Sequence, residues 1–152
     1  MSKKESLAQA RNKCLKAFQL LRRLEEADDN GYCTCISTGK RQYYKDMDGG
    51  HYLSRRYRPT EIEHDNVWPQ SKYANQYLAG DPLNYRDNLI KKIGLDRVER
   101  LENLVRAYQG ADVDVAEEDR WLLQKRTKLF YSQKYKEFAQ KINELKAEKG
   151  LY

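Results

Sequence analysis

The chain of 152 residues contains no run of about 18 apolar residues, so it encodes no helix able to cross a bilayer, and no membrane role is expected. Its opening, Met-Ser-Lys-Lys-Glu, lacks the apolar core of a secretory signal. Cysteine is scarce and odd in number (Cys14, Cys33, Cys35), which argues against a disulfide framework and for reduced thiols in a cytoplasmic protein. No internal repeat and no low-complexity linker interrupts it. The length suits one domain and argues against two. Phe occurs three times and Trp twice against twelve Tyr, so most large side chains carry a polar tip. Charged residues make up 34% and mean hydropathy is −1.00, which points to a helix-rich chain with much solvated surface. A net charge of +6 favours an acidic partner such as nucleic acid.

The expected fold class is α+β and mostly helical, within a single domain spanning 1–152. Residues 1–30 read as an N-terminal helix, with a Ser2–Glu5 capping box and an apolar stripe of Leu7, Ala10, Cys14, Ala17, Leu21 and Leu24. That stripe reads as core contact or as the seam of a homodimer. Residues 31–80 hold both His and seven of the twelve Tyr. β-like runs at 32–37, 42–47 and 50–53 alternate there with turn residues, Asp48-Gly49-Gly50 among them, whose glycine pair gives the backbone φ freedom and leaves room beside it. Residues 61–68 read as a loop, and 70–78 as a short helix ended by Gly80. Residues 81–152 form a helical extension of three helices. Asp81-Pro82 caps the first, Asp96 and Glu99 the second, and Asp114 and Glu117 open the last, which runs to about Lys149. The last helix has a stripe of Tyr131, Tyr135, Phe138, Ile142 and Leu145, a second candidate seam.

Chemistry concentrates between residues 48 and 75. Phosphodiester hydrolysis needs a base for water and a cation to stabilise charge on the phosphate and leaving oxygen. His51 is a candidate base, with structural hydrogen bonding as its alternative role. Asp48 and Asn75 offer oxygen donors suited to Mg²⁺ or Mn²⁺. The side-chain amide of Asn66 is placed to tie the intervening loop to the His strand. Lys40, Arg41, Arg55, Arg56 and Arg58 form a basic cluster beside these residues, as expected of phosphate contacts. Tyr43, Tyr44 and Tyr57 read either as stacking partners for unpaired bases or as core. His64 reads as a surface residue.

Asp48-Gly49-Gly50-His51-Tyr52, Asp65-Asn66-Val67, Asn75-Gln76-Tyr77-Leu78-Ala79-Gly80, Asn84-Tyr85-Arg86 and Leu89–Gly94 together resemble the bacteriophage NinG (Rap) recombination proteins, within the HNH or His-Me finger nucleases. The likeness covers about residues 30–149. It implies a ββα-metal finger at 31–80 and a structure-specific endonuclease acting on branched DNA such as Holliday junctions, in phage recombination in the host cytoplasm. By that resemblance His51 activates water, Asp48 and Asn75 hold one Mg²⁺ or Mn²⁺, Asn66 braces the loop, and the arginines meet phosphates of branched or double-stranded DNA. Two active sites on a symmetric junction imply a homodimer.

The chain also departs from that family, which carries paired Cys-x-x-Cys knuckles. Only Cys35 remains of the first knuckle, and Ser71-Lys72-Tyr73-Ala74 stands in place of the second, so no structural zinc is expected. Trp68, Tyr73 and Tyr77 are expected to pack where the metal would have been. The alternative reading is a non-catalytic protein that binds branched DNA on a degenerate scaffold.

Overall fold

A computed structural model describes residues 4–152. Its first helix, α1 (Leu7–Glu26), starts at Ser6 rather than Ser2, which lies outside the described residues. The Ser6 hydroxyl accepts from the Gln9 amide at 3.1 Å, and the Gln9 side chain accepts from the Ser6 amide at 2.8 Å. Two donors at the helix start are thereby satisfied reciprocally. Two small antiparallel sheets follow. Strands β1 (Tyr32–Thr34) and β2 (Arg41–Tyr43) form one; β3 (Met47–His51) and β4 (Val67–Ser71) form the other, with Asp48 opposite Gln70 and His51 opposite Val67. A short helix, α2 (Lys72–Gln76), leaves β4 directly, with the Ser71 hydroxyl capping Ala74. Helices α3 (Pro82–Ile93), α4 (Leu95–Tyr108) and α5 (Lys128–Lys149) complete an α+β, mostly helical fold.

Several expected boundaries move. Asp48-Gly49-Gly50 is strand, not turn, and neither glycine adopts a positive φ. What the pair supplies is room: a Cβ on Gly49 would lie 2.7 Å from the Cα of Gln19, and one on Gly50 2.1 Å from Oε1 of Gln70. The end of the 61–68 loop, Val67 and Trp68, joins β4 together with Pro69, Gln70 and Ser71, so the short helix begins later, at Lys72. Asp81 precedes Pro82 with a φ of 47° and makes no capping bond. Gly94, at a φ of 92°, both ends α3 and precedes α4, which puts Asp96 inside the first turn rather than at a cap. The last helix opens at Thr127, whose hydroxyl accepts from Phe130 at 3.1 Å, not at residues 114–117. Residues Glu117–Leu123 instead form a 3-10 turn pinned to α4, because Asp119 takes two bonds from Arg100, at 2.7 and 2.9 Å.

The main core joins both candidate dimer stripes to each other. Ala10, Cys14, Ala17, Leu21 and Leu24 of α1 pack with Tyr131, Phe138 and Ile142 of α5, so these faces are spent inside the chain. The two helices run parallel: Lys13 lies over the Tyr135 ring, Phe18 meets Phe138 at 4.9 Å, and Lys149 bonds the carbonyls of Leu24 and Ala27. A second core gathers Ile36, Trp68, Tyr85, Leu89, Val98 and Leu101 beneath the β3–β4 sheet. No helix among the described residues is long and apolar enough to cross a membrane.

Candidate active site

Strand β3 delivers Asp48 and His51 to one cleft of about 490 Å³, and α2 delivers Asn75 to the same cleft. Arg55, Tyr52 and the Ala79-Gly80 turn complete much of its wall. Strand β3 is clamped at both ends. Arg23 of α1 donates to the carbonyls of Tyr44 and Met47, and the buried hydroxyl of Tyr85 donates to the carbonyl of Gly50 at 2.7 Å. Arg22, fully buried, lies over the Trp68 ring and donates to the Val67 carbonyl at 2.8 Å, fixing the facing strand. Gln70, also buried, donates to the Gly80 carbonyl at 2.8 Å and so holds the turn at the cleft wall.

His51 is half-buried, and its Nε2 lies 2.8 Å from the backbone carbonyl of Glu61. A carbonyl only accepts, so Nε2 carries the proton and Nδ1 keeps the ring's lone pair. Burial pushes the imidazole pKa down to about 4, against a smaller upward pull from the Glu61 carbonyl. The ring is therefore neutral at pH 7 and able to accept a proton.

Glu61 is fully buried and tied to both long helices. Its carboxylate receives Nε of Arg11 at 2.8 Å, Nη1 of Arg126 at 2.9 Å and the Tyr131 hydroxyl. Arg11 also donates to the Arg55 carbonyl. Asn66, fully buried, bonds both backbone groups of Leu53 and the Thr60 carbonyl, at 2.9 to 3.0 Å. It thus braces the loop that carries the Glu61 carbonyl; it is a positioning residue and does not line the cleft. Arg11, Glu61 and Arg126 carry no motif in the sequence. The pairs are 50 and 65 residues apart, and only the fold joins them.

Asp48 accepts from Lys72 Nζ at 2.8 Å on one oxygen and from the Asn75 amide at 2.9 Å on the other. Burial alone would raise its pKa, but these bonds and the Lys72 charge outweigh it and hold the carboxylate below the usual range. Lys72 was not singled out by the sequence, where it sits at a vanished knuckle. One carboxylate and one amide fit a hard divalent cation that keeps most of its waters, provided Lys72 releases its oxygen. Among the described residues no group of three or more His, Cys, Asp or Glu converges on a metal position.

The basic cluster divides. Arg55 lines the cleft and Arg56 stands exposed beside Tyr57, whereas Arg58 lines a different cavity. Arg41 opens β2 of the separate β1–β2 sheet and pairs with Asp28, Lys40 stands just before it, and neither lines the cleft. His64 is exposed at the edge of Trp68, beside Asp65. Trp68 is core, but Tyr73 and Tyr77 stand 62% and 76% exposed, so they do not fill a former metal position. Tyr44 is fully buried and unavailable for stacking, while Tyr43 and Tyr57 are half-buried. The thiols are free and buried in the core: burial pushes Cys14 up to about 12 and Cys33 to about 11. For Cys35 burial is outweighed by hydrogen bonds from Thr38 and Ser71, which hold its pKa below the ordinary value.

The family model described as Bacteriophage Lambda NinG protein matches residues 2–140. The chain belongs to the NinG family. No curated protein and no solved structure matches it. The match spans every residue of this NinG-family cleft, from Gln19 on α1 to Pro82 at the start of α3, and the Glu61 cluster as well.

Proposed function

We propose that this protein is a metal-dependent endonuclease of the HNH, or His-Me finger, type that cuts phosphodiester bonds in branched recombination intermediates. One observation carries the reading: His51 is neutral, is oriented by a backbone carbonyl, and shares a cleft with the Asp48–Asn75 pair. The order β3, braced loop, β4, α2 also suits the ββα finger implied by the sequence resemblance.

Asp48 and Asn75 are the residues that would hold Mg²⁺ or Mn²⁺. When bound, the ion supplies charge stabilisation for the phosphate and the leaving oxygen. His51 Nδ1 takes a proton from water as the water oxygen forms its bond to phosphorus, and the bond from phosphorus to the leaving oxygen breaks. The negative phosphate beside the ring favours the imidazolium as that proton arrives. Arg55, on the cleft wall, is placed to hold a phosphate, and the Glu61 carbonyl keeps the ring in one tautomer throughout.

The second reading, a protein that binds branched DNA without cutting it, draws on Lys72. Its ammonium already neutralises one Asp48 oxygen. The experiment is incubation with a labelled four-way junction in Mg²⁺, in Mn²⁺ and in EDTA, beside His51→Ala. Metal-dependent cuts that vanish in the variant support the nuclease. Tight junction binding with no cuts in either metal would sink it in favour of the second reading.

A further inference from the structure

A second cavity, of about 500 Å³, opens where α1 and α5 begin, on the far side of the loop from the His51 cleft. Four cations line it (Arg11, Arg58, Lys125 and Arg126) and no carboxylate does. Among the described residues the one acid paired with them is Glu61, so four positive charges against one leave an excess of three. Buried charges are ordinarily paired, because an unpaired one forfeits its hydration with nothing in return. Here two arginines share one buried carboxylate, and one of them is incompletely satisfied. The Arg126 side chain is 4% exposed, it gives Nη1 to Glu61, and its Nε and Nη2 have no partner among the described residues.

The backbone adds to this. Because α1 and α5 run parallel, their N-terminal ends, Leu7–Ala8 and the segment before Lys128, meet at the same cavity. Both helix dipoles therefore place their positive ends there. Guanidinium forks and converging helix N-termini are the donors that match a tetrahedral oxyanion.

From the charge excess, the unpartnered Arg126 donors and the convergent helix ends, we infer that this cavity binds a phosphate group, either a phosphate of a nucleic acid or a free phosphate ion. The position suggests what such binding does. Arg58 and Arg55 stand on one loop, three residues apart, with Arg58 in this cavity and Arg55 in the His51 cleft. A strand crossing that loop meets both. Arg11 and Arg126 also hold Glu61, whose carbonyl holds His51, so the occupied cavity fixes the base through side chains already in contact. This last step rests on the nuclease reading; the phosphate site does not.

The test begins without DNA. Inorganic phosphate is titrated against a chloride control of equal ionic strength, with Tm as the readout, in the natural protein and in Arg58→Ala/Lys125→Ala. Neither replaced side chain holds the fold: Lys125 is exposed, and Arg58 has a single 3.3 Å bond to the Arg56 carbonyl. The expected result is a rise of about 4 °C at tenfold excess over Kd in the natural protein, and little or none in the variant. No rise, or an equal rise in both, would overturn the site. Two further arms distinguish the source. In one, neutral methylphosphonates are walked along a branched substrate; in the other, 5′-phosphorylated ends are compared with 5′-hydroxyl ends. A position or end that costs the natural protein about tenfold in binding, but the variant nothing, identifies a nucleic-acid phosphate. Stabilisation by the free ion with no such coupling identifies the ion itself. A protein that binds phosphate but never cuts DNA would refute the nuclease and leave the site standing.

Discussion

At the scale of single residues, the molecule turns on two carbonyl-side facts about His51: its Nε2 proton is committed to Glu61, and its pKa lies near 4. The acid limb of kcat/KM is therefore expected near pH 4, with a flat profile through 6.5, where an unperturbed imidazole would still be titrating. A pH–rate series between 3.5 and 8 checks this; an inflection near 6.5 would refute it. The same shift has a stability sign. The folded pKa lies below the unfolded one, so the unfolded chain binds the proton more readily. Stability is then full above about 6.5 and is lost as pH falls toward 4. Glu61→Gln keeps the shape but leaves the buried Arg126 and the partly exposed Arg11 without a carboxylate. The expected loss is about 3–5 kcal/mol, read as a fall in urea midpoint. Lys72→Ala frees an Asp48 oxygen and is expected to tighten Mn²⁺ binding several-fold in a direct titration; unchanged binding would remove Asp48 as a ligand. The sequence gathered Asp48, His51 and Asn75 into one candidate site, and the fold brings them to one cleft, with Asn66 bracing the loop beside it. Lys72, Glu61, Arg11 and Arg126 were not legible, because a charged residue in a charged chain carries no signal until the fold shows what it faces.

At the scale of elements, the glycine pair decides how closely α1 can approach β3. A Cβ on Gly49 meets the backbone of Gln19, which cannot move without the whole helix, whereas one on Gly50 meets the Gln70 side chain. Gly49→Ala is accordingly expected to cost about 1–3 kcal/mol and to weaken any activity by shifting β3, and Gly50→Ala to cost at least as much, because the Gln70 Cβ is fixed by β4 and its amide is committed to Ser37 and the Gly80 carbonyl. Denaturation midpoints of the two variants, measured together, test the order. The sequence was half right at this place: the room expected beside the pair is there, but the turn is strand, because which backbone approaches the glycines is a tertiary fact. The apolar stripes of α1, α4 and α5 were readable because periodicity is local. The start of α5 was not: Asp114 and Glu117 form a good capping pattern, but the apolar stripe begins only at Tyr131, and Arg100 holds Asp119 against α4.

At the scale of the whole molecule, the charge of +6 is unevenly spent. Arg22, Arg23 and Arg126 are held inside as clamps, and Arg86, Arg97 and Arg100 are paired with acids. Arg55 and Arg56 are left facing outward near the cleft. DNA affinity is expected to fall steeply with salt, and replacing Arg55 by Ala should lower the slope of log K against log[salt] by about one. A slope unchanged in the variant would place the DNA elsewhere. The overall class, α+β and mostly helical, was legible from punctuation and periodicity. The parallel pairing of the first and last long helices was not, because stripe spacing says which face is buried but not what covers it.

That parallel pairing also orders events during synthesis. A ribosome delivers α1 more than a hundred residues before α5, and everything that bears the cleft comes between. Until α5 emerges, the Ala10–Leu24 stripe lacks most of its cover, and Glu61 lacks both Tyr131 and Arg126. The nascent chain would therefore hold its histidine, aspartate and asparagine while still lacking the frame that aims them. On the function proposed above, the protein would be inert while it is being made and would ripen in one late step.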